Sequence, residues 1–127
     1  MYTEKVMDHF SNPRNVGTME NPNVVVKVGD PGCGDAVLIF MQIKDNVISD
    51  VKYKVYGCGA AIATTSMAST MIKGKTLEEA LEVTDEKVAD ALGGLPEVKM
   101  HCSNLAATAI RAAVTRYLTP PEKEKCD

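Results

Sequence analysis

The sequence predicts an α+β fold: a small three-stranded antiparallel sheet packed on one side by helices, with an N-terminal helix before it and a long C-terminal helix after it. Two observations carry this expectation. Three runs rich in β-branched and apolar residues, Val24–Val28, Ala36–Lys44 and Val47–Tyr56, follow one another across short connections, as in an antiparallel meander. From Gly59 onward the apolar residues instead recur at helical spacing.

Tyr2–Phe10 reads as a short helix with Val6 and Phe10 on one face, ended by the turn-rich Asn12-Pro13-Arg14-Asn15 and Gly17. We take it as a docked helix without chemistry, and His9 receives no ligand role. The strand Val24–Val28 leads into Gly29-Asp30-Pro31-Gly32-Cys33-Gly34-Asp35, a loop dense in residues that tolerate unusual backbone angles. Ala36–Lys44 is almost continuously apolar, as expected of a strand covered on both sides. Asp45-Asn46 fits a two-residue hairpin connection. In the third strand Val51, Tyr53 and Val55 face one way and Asp50, Lys52 and Lys54 the other, so one sheet face is buried and the other partly wet.

Gly57-Cys58-Gly59 marks the change from strand to helix. Beyond it, Ala61, Thr65, Ala68 and Ile72 form one stripe, with Ala60, Thr64, Met67 and Met71 beside it. Small residues on both stripes let this helix lie close against the sheet, and Gly74 follows as a C-cap. Thr76 and Glu79 have the spacing of a capping box. Asp85 is placed as the cap of a further helix ending at Gly93-Gly94. Glu78, Glu79, Glu82, Glu86 and Lys87 read as a solvated face. Leu95-Pro96-Glu97-Val98-Lys99 is an extended, exposed link. The last helix opens at Met100-His101-Cys102-Ser103 and runs to about Tyr117, with Ala106, Ala109, Ile110, Ala113 and Tyr117 as its apolar stripe. Pro120-Pro121 ends it, and residues 119–127 form a flexible tail.

At 127 residues the chain is expected to be a single domain, 1–127, able to bury a core without disulfide staples. It has no tryptophan and only two phenylalanines, so that core is aliphatic and methionine-rich. The net charge of −3 gives no concentrated basic face for nucleic acid. No apolar stretch approaches a membrane span and the N-terminus lacks a signal-peptide pattern, so a cytoplasmic location is expected. In that setting Cys33, Cys58, Cys102 and Cys126 read as thiols or metal ligands rather than disulfides, and none of them forms a CxxC pair.

Cys33 lies in a loop before a strand, while Cys58 and Cys102 lie at or just before helix starts. Helix N-termini favour thiolate over thiol, and thiolates are the soft ligands that hold zinc, copper(I) or iron–sulfur clusters. Three thiolates leave a tetrahedral site one ligand short; Asp35 and His101 are the candidates to complete it. On the residues alone the bland alternative stays open: inert thiols, a loop aspartate and a helix-start histidine.

At these residues the chain resembles the IscU-type iron–sulfur cluster assembly scaffolds, which are similar to the N-terminal domain of NifU. The shared blocks are Asp8-His9-Phe10 with Asn12-Pro13-Arg14-Asn15-Val16-Gly17, Gly32-Cys33-Gly34-Asp35, Gly57-Cys58-Gly59-Ala60-Ala61-Ile62-Ala63-Thr64, Ala91-Leu92-Gly93-Gly94-Leu95-Pro96, and His101-Cys102-Ser103-Asn104-Leu105-Ala106. The resemblance implies a scaffold rather than a turnover enzyme, one that binds iron and assembles a transient 2Fe–2S cluster on Cys33, Cys58 and Cys102, with Asp35 or His101 as fourth ligand. It implies a cysteine desulfurase as partner, Cys102 as persulfide acceptor, Asp35 as the residue linked to cluster release, and apo iron–sulfur proteins as recipients. Zinc suits the same ligands. Many bacterial members carry Leu-Pro-Pro-Val-Lys as a chaperone-recognition motif. Glu97 replaces the second proline here, which puts chaperone-assisted transfer in doubt. A superfamily branch of zinc-dependent sulfurtransferases is the alternative; it carries an insertion between its second and third cysteines, whereas 44 positions separate Cys58 from Cys102 here. Monomer and homodimer both remain open, and Cys126 reads as a spare thiol.

Overall fold

The structure, a computed structural model, describes residues 3–29, 36–95 and 100–118, with the side chains of residues 100–103 outside that description. In chain order the elements are α1 (Glu4–Ser11), β1 (Val24–Gly29), β2 (Ala36–Lys44), β3 (Val47–Tyr56), α2 (Gly59–Ile72), α3 (Leu77–Leu81), α4 (Asp85–Ala91) and α5 (Met100–Leu118). The strands form one antiparallel sheet in the order β1-β2-β3. The α+β expectation is met.

Alternation decides which face meets the helices. In register, Met41 lies opposite Val24 and Val51, and Ile39 lies opposite Val26 and Tyr53. With Val37, Ile43 and Ile48 these residues join the core, onto which α5 packs against β1 and β2 and α2 against β3. Full burial of one such side chain is worth about 1.5–3 kcal/mol. On the opposite face of β2, Phe40 is buried between its cross-strand neighbours Val25 and Lys52, whereas Gln42 and Lys44 are exposed. Coverage on both sides is therefore confined to the first part of the strand. Asp45 and Asn46 both have positive φ, 54° and 67°, as a type I′ hairpin turn requires.

The segment after α1 covers the outer edge of β3. Gly17 N–H donates to the Tyr53 carbonyl at 2.9 Å and Tyr53 N–H to the Asn15 carbonyl at 3.2 Å. An edge that would otherwise present unpaired backbone groups is thereby satisfied.

Several helix details follow the sequence, and several correct it. Gly74, at φ +84°, ends α2, and the Thr76–Glu79 capping box on α3 is complete. Helix α4 is capped by Thr84, not Asp85: the chain is still extended at Thr84, whose hydroxyl accepts Lys87 N–H at 3.2 Å. Asp85 becomes the first helical residue, where its charge complements the helix dipole. Phe10 is 44% exposed; the buried face of α1 is Val6 with His9 instead. Tyr117 is 41% exposed beside the exposed Leu118, because the last turn of α5 runs past the packed layer, and Ala107 and Val114 complete the buried face. Leu95 is half-buried against the core, and the remainder of the predicted link, residues 96–99, lies outside the described residues. The predicted tail, 119–127, lies outside them as well.

Candidate functional site

The site begins where β3 hands over to α2. Cys58 is the N-cap of α2, in an extended conformation (φ −77°, ψ 174°), and its carbonyl accepts Ile62 N–H at 3.2 Å. The residue is half-buried and packs, with Val55, against the fully buried Ala60 and Ala61. Thr3, Thr76 and Thr84 each cap a helix through a side-chain hydrogen bond, but the Cys58 side chain makes no capping bond, and no acidic residue stands in the first turn of α2. A hydroxyl cap is worth about 1 kcal/mol. This helix forgoes it in favour of a thiol at its electropositive end.

Packing holds α2 in place instead. The sequence showed an alanine–threonine stripe, yet α2 is buried nearly all round, with Ala63, Ser66 and Ser69 inside as well. That extra face receives α1 and the turn after it through a polar layer. Ser66 Oγ lies 2.7 Å from His9 Nδ1 and accepts Arg14 N–H at 2.9 Å. Ser69 Oγ accepts from Asn15 Nδ2 at 2.9 Å and donates to the Ser66 carbonyl at 2.7 Å. Burial, then the nearby Arg14 charge, lowers the His9 pKa, and its Nδ1 shares a hydrogen bond with the Ser66 hydroxyl. Asp8 pairs with Arg14 at 2.7 Å at the surface, and that hydrogen bond holds its carboxyl below the usual range. Burial pushes the Tyr53 hydroxyl up to about 12, so it stays protonated. Sequence reasoning missed this layer; its signal was Ser66 and Ser69, three apart on α2, together with the Asn12–Asn15 turn.

The other predicted ligands fall as follows. The backbone of His101 and Cys102 lies in the first turn of α5, and α5 packs against α2. Their side chains are not among those described. Cys33, Asp35 and Cys126 also lie outside the described residues. The residues flanking the 30–35 segment are placed: Gly29 pairs with Ala36, and Ala36 also pairs with Tyr56, two residues before Cys58. Of the five predicted ligands only the Cys58 side chain is described, and among the described residues no three His, Cys, Asp or Glu side chains gather closely enough to hold a metal ion. Also among the described residues, no helix is long and apolar enough to cross a membrane.

Comparison with known proteins places this geometry in context. The family model described as the NifU-like N terminal domain matches residues 1–126. Iron-sulfur cluster assembly scaffold protein IscU 1 of Archaeoglobus fulgidus is 59% identical over 117 residues, which cover 92% of this chain and 76% of that protein. The scaffold protein IscU of Escherichia coli K12 is 44% identical over 125 residues, covering 95% of this chain and 97% of that protein. Among solved structures, one from Fervidobacterium islandicum AW-1, described as a candidate iron–sulfur cluster assembly scaffold for the SUF system, superposes with a TM-score of 0.74 at 25% identity. It covers 89% of this chain and 96% of that one.

Proposed function

The chain belongs to the NifU-like N-terminal domain family, and we propose that it is a scaffold on which an iron–sulfur cluster is assembled for other proteins. The observation that carries this reading is the match to the E. coli scaffold, which spans 97% of that protein and 95% of this chain. In this reading residues 1–127 act as one domain without turnover chemistry, and the cluster is cargo.

The cluster is a 2Fe–2S unit held by the thiolates of Cys33, Cys58 and Cys102, with Asp35 or His101 as the fourth ligand. Chain geometry supports the grouping. Cys33 is three residues from Ala36, a span of at most about 11 Å, and Ala36 is paired with Tyr56 beside the Cys58 turn. An oxygen or imidazole ligand among thiolates gives a site less committed to its iron than four cysteines, which suits a protein that must release what it holds. Sulfur arrives from a cysteine desulfurase. The Cys102 thiolate attacks the terminal sulfur of the enzyme's persulfide, a new S–S bond forms at Cys102, and the enzyme's thiolate leaves. Converting that sulfur to sulfide takes two electrons from an external reductant. Apo iron–sulfur proteins receive the finished cluster, and a reducing cytoplasmic compartment suits the thiols. Zinc fits the same ligand set.

The test is anaerobic incubation of the protein with ferrous iron, cysteine, a thiol reductant and a cysteine desulfurase, followed by addition of an apo-ferredoxin. Visible absorption of a 2Fe–2S cluster that then moves to the ferredoxin is expected, with Asp35→Ala holding its cluster longer than wild type. Persulfide on Cys102 with bound zinc and no cluster would replace this reading with a zinc-dependent sulfurtransferase.

A further inference from the structure

Phe10 is the one aromatic side chain of α1, and its exposure is at odds with where its ring sits. The residue is 44% exposed, yet a Cβ built on Gly59 would meet ring atoms Cδ1 and Cε1 at 3.1 Å each. Gly59 lies in the first turn of α2 and has no positive φ, so its backbone is open to any L-residue. A side chain at that position would press on the aromatic ring, which would have to give by a few tenths of an ångström. Val6, Met7, Phe10 and Gly59 together line a small apolar recess at this end of α2.

The inner side of the first turn of α2 is packed, with Ala60 and Ala61 fully buried beside Val55, and Phe10 covers the turn at Gly59. The Cys58 side chain makes no capping bond, and the first turn carries no acidic residue. The first N–H groups of a helix have no intrahelical partner, so what packs on the first turn contributes to holding it. Helix α1, in contrast, is fixed without Phe10. Val6 is buried, the Thr3 hydroxyl caps the helix, and His9 and Arg14 N–H both bond Ser66.

We propose that Phe10 is a positioning residue for Cys58: anchored on α1, its ring clamps the first turn of α2 through Gly59 and so holds the thiol of the preceding residue in one orientation. The orienting role rests on the scaffold reading, since it matters where Cys58 must present sulfur to iron. The clamp itself does not, and is measurable in metal-free protein.

The experiment is timed alkylation of the full-length, metal-free chain with iodoacetamide, resolved cysteine by cysteine by peptide mass spectrometry. Phe10→Ala is expected to raise the Cys58 rate roughly three- to tenfold by releasing the first turn, while the Cys126 rate stays as in wild type. Phe10→Tyr keeps the ring and is expected to stay near the wild-type rate. An unchanged Cys58 rate in Phe10→Ala overturns the proposal. So does an equal acceleration at all four cysteines, which would mark general loosening. Because the readout needs no cluster, failure of cluster assembly in the wild type would remove the scaffold reading and leave this result standing.

Discussion

Ser66→Ala removes a single oxygen from the middle of α2, and the geometry sets its cost. The residue is fully buried, lies 2.7 Å from His9 Nδ1 and accepts the Arg14 N–H at 2.9 Å. Alanine fills nearly the same volume, so no large cavity opens, and its better helix propensity returns about 0.5 kcal/mol. Against this, a backbone donor and an imidazole nitrogen both lose their partner, at about 1–3 kcal/mol for each buried unsatisfied group. Arg14 is half-buried and its N–H regains some water, which pulls the sum toward the low end. The expected net loss is roughly 2–4 kcal/mol out of a total typically near 5–15. Urea denaturation followed by circular dichroism at about pH 8, where His9 is neutral, measures it directly. A loss below about 0.5 kcal/mol, the range of an ordinary surface change, would refute the reasoning that this layer fixes α1 and the following turn onto α2.

The same layer gives a pH dependence. His9 has its pKa lowered in the folded chain from an ordinary 6.5, by burial first and the Arg14 charge second. The unfolded chain therefore takes up the proton at higher pH than the folded one. The stability linked to His9 is fully present above about pH 6.5 and declines as pH falls below it. Denaturation midpoints are expected to be level from about pH 8 to 7 and to fall below 6.5, with a shallower fall in His9→Asn. Thr76→Ala removes the hydroxyl that accepts Glu79 N–H, leaves the backbone N–H bond to the Glu79 carboxylate, and is expected to cost about 1 kcal/mol by urea denaturation. No measurable change there would mean that the Asn46–Glu78 hydrogen bond, 2.8 Å long, holds the start of α3 instead.

The strands were legible because two signals agreed. Alternation placed Val51 and Tyr53 inward, and Asp45-Asn46 fixed the hairpin, so β2 and β3 begin and end at the predicted residues. Helix details were less legible where neighbouring residues compete for one role. Thr84 and Asp85 both cap well, and only the backbone decides between them. Spacing puts Phe10 on the Val6 face of α1 and Tyr117 on the apolar stripe of α5, yet burial follows what stands opposite. His9 goes inside because Ser66 satisfies it, whereas Tyr117 and Leu118 stay exposed at the end of α5. The burial of Ser66 and Ser69 could not be read from α2 alone, since small polar residues look solvated until the partner turn is known. For the site, the Gly57-Cys58-Gly59 junction was legible as the change from strand to helix, which the structure bears out, with Cys58 as the N-cap. The proposed meeting of Cys58 with Cys33 and Cys102 rests on motif order, and the Ala36–Tyr56 pairing supports only the approach of the Cys33 segment.

The most direct test of the central claim is to count iron and sulfide per chain after anaerobic assembly in four single variants. Cys33→Ser, Cys58→Ser and Cys102→Ser are each expected to lose the stable cluster, and Cys126→Ser to retain the wild-type content. A Cys58→Ser protein that assembles and keeps a full cluster would contradict the account, because it would leave the one proposed ligand whose side chain is described without a role.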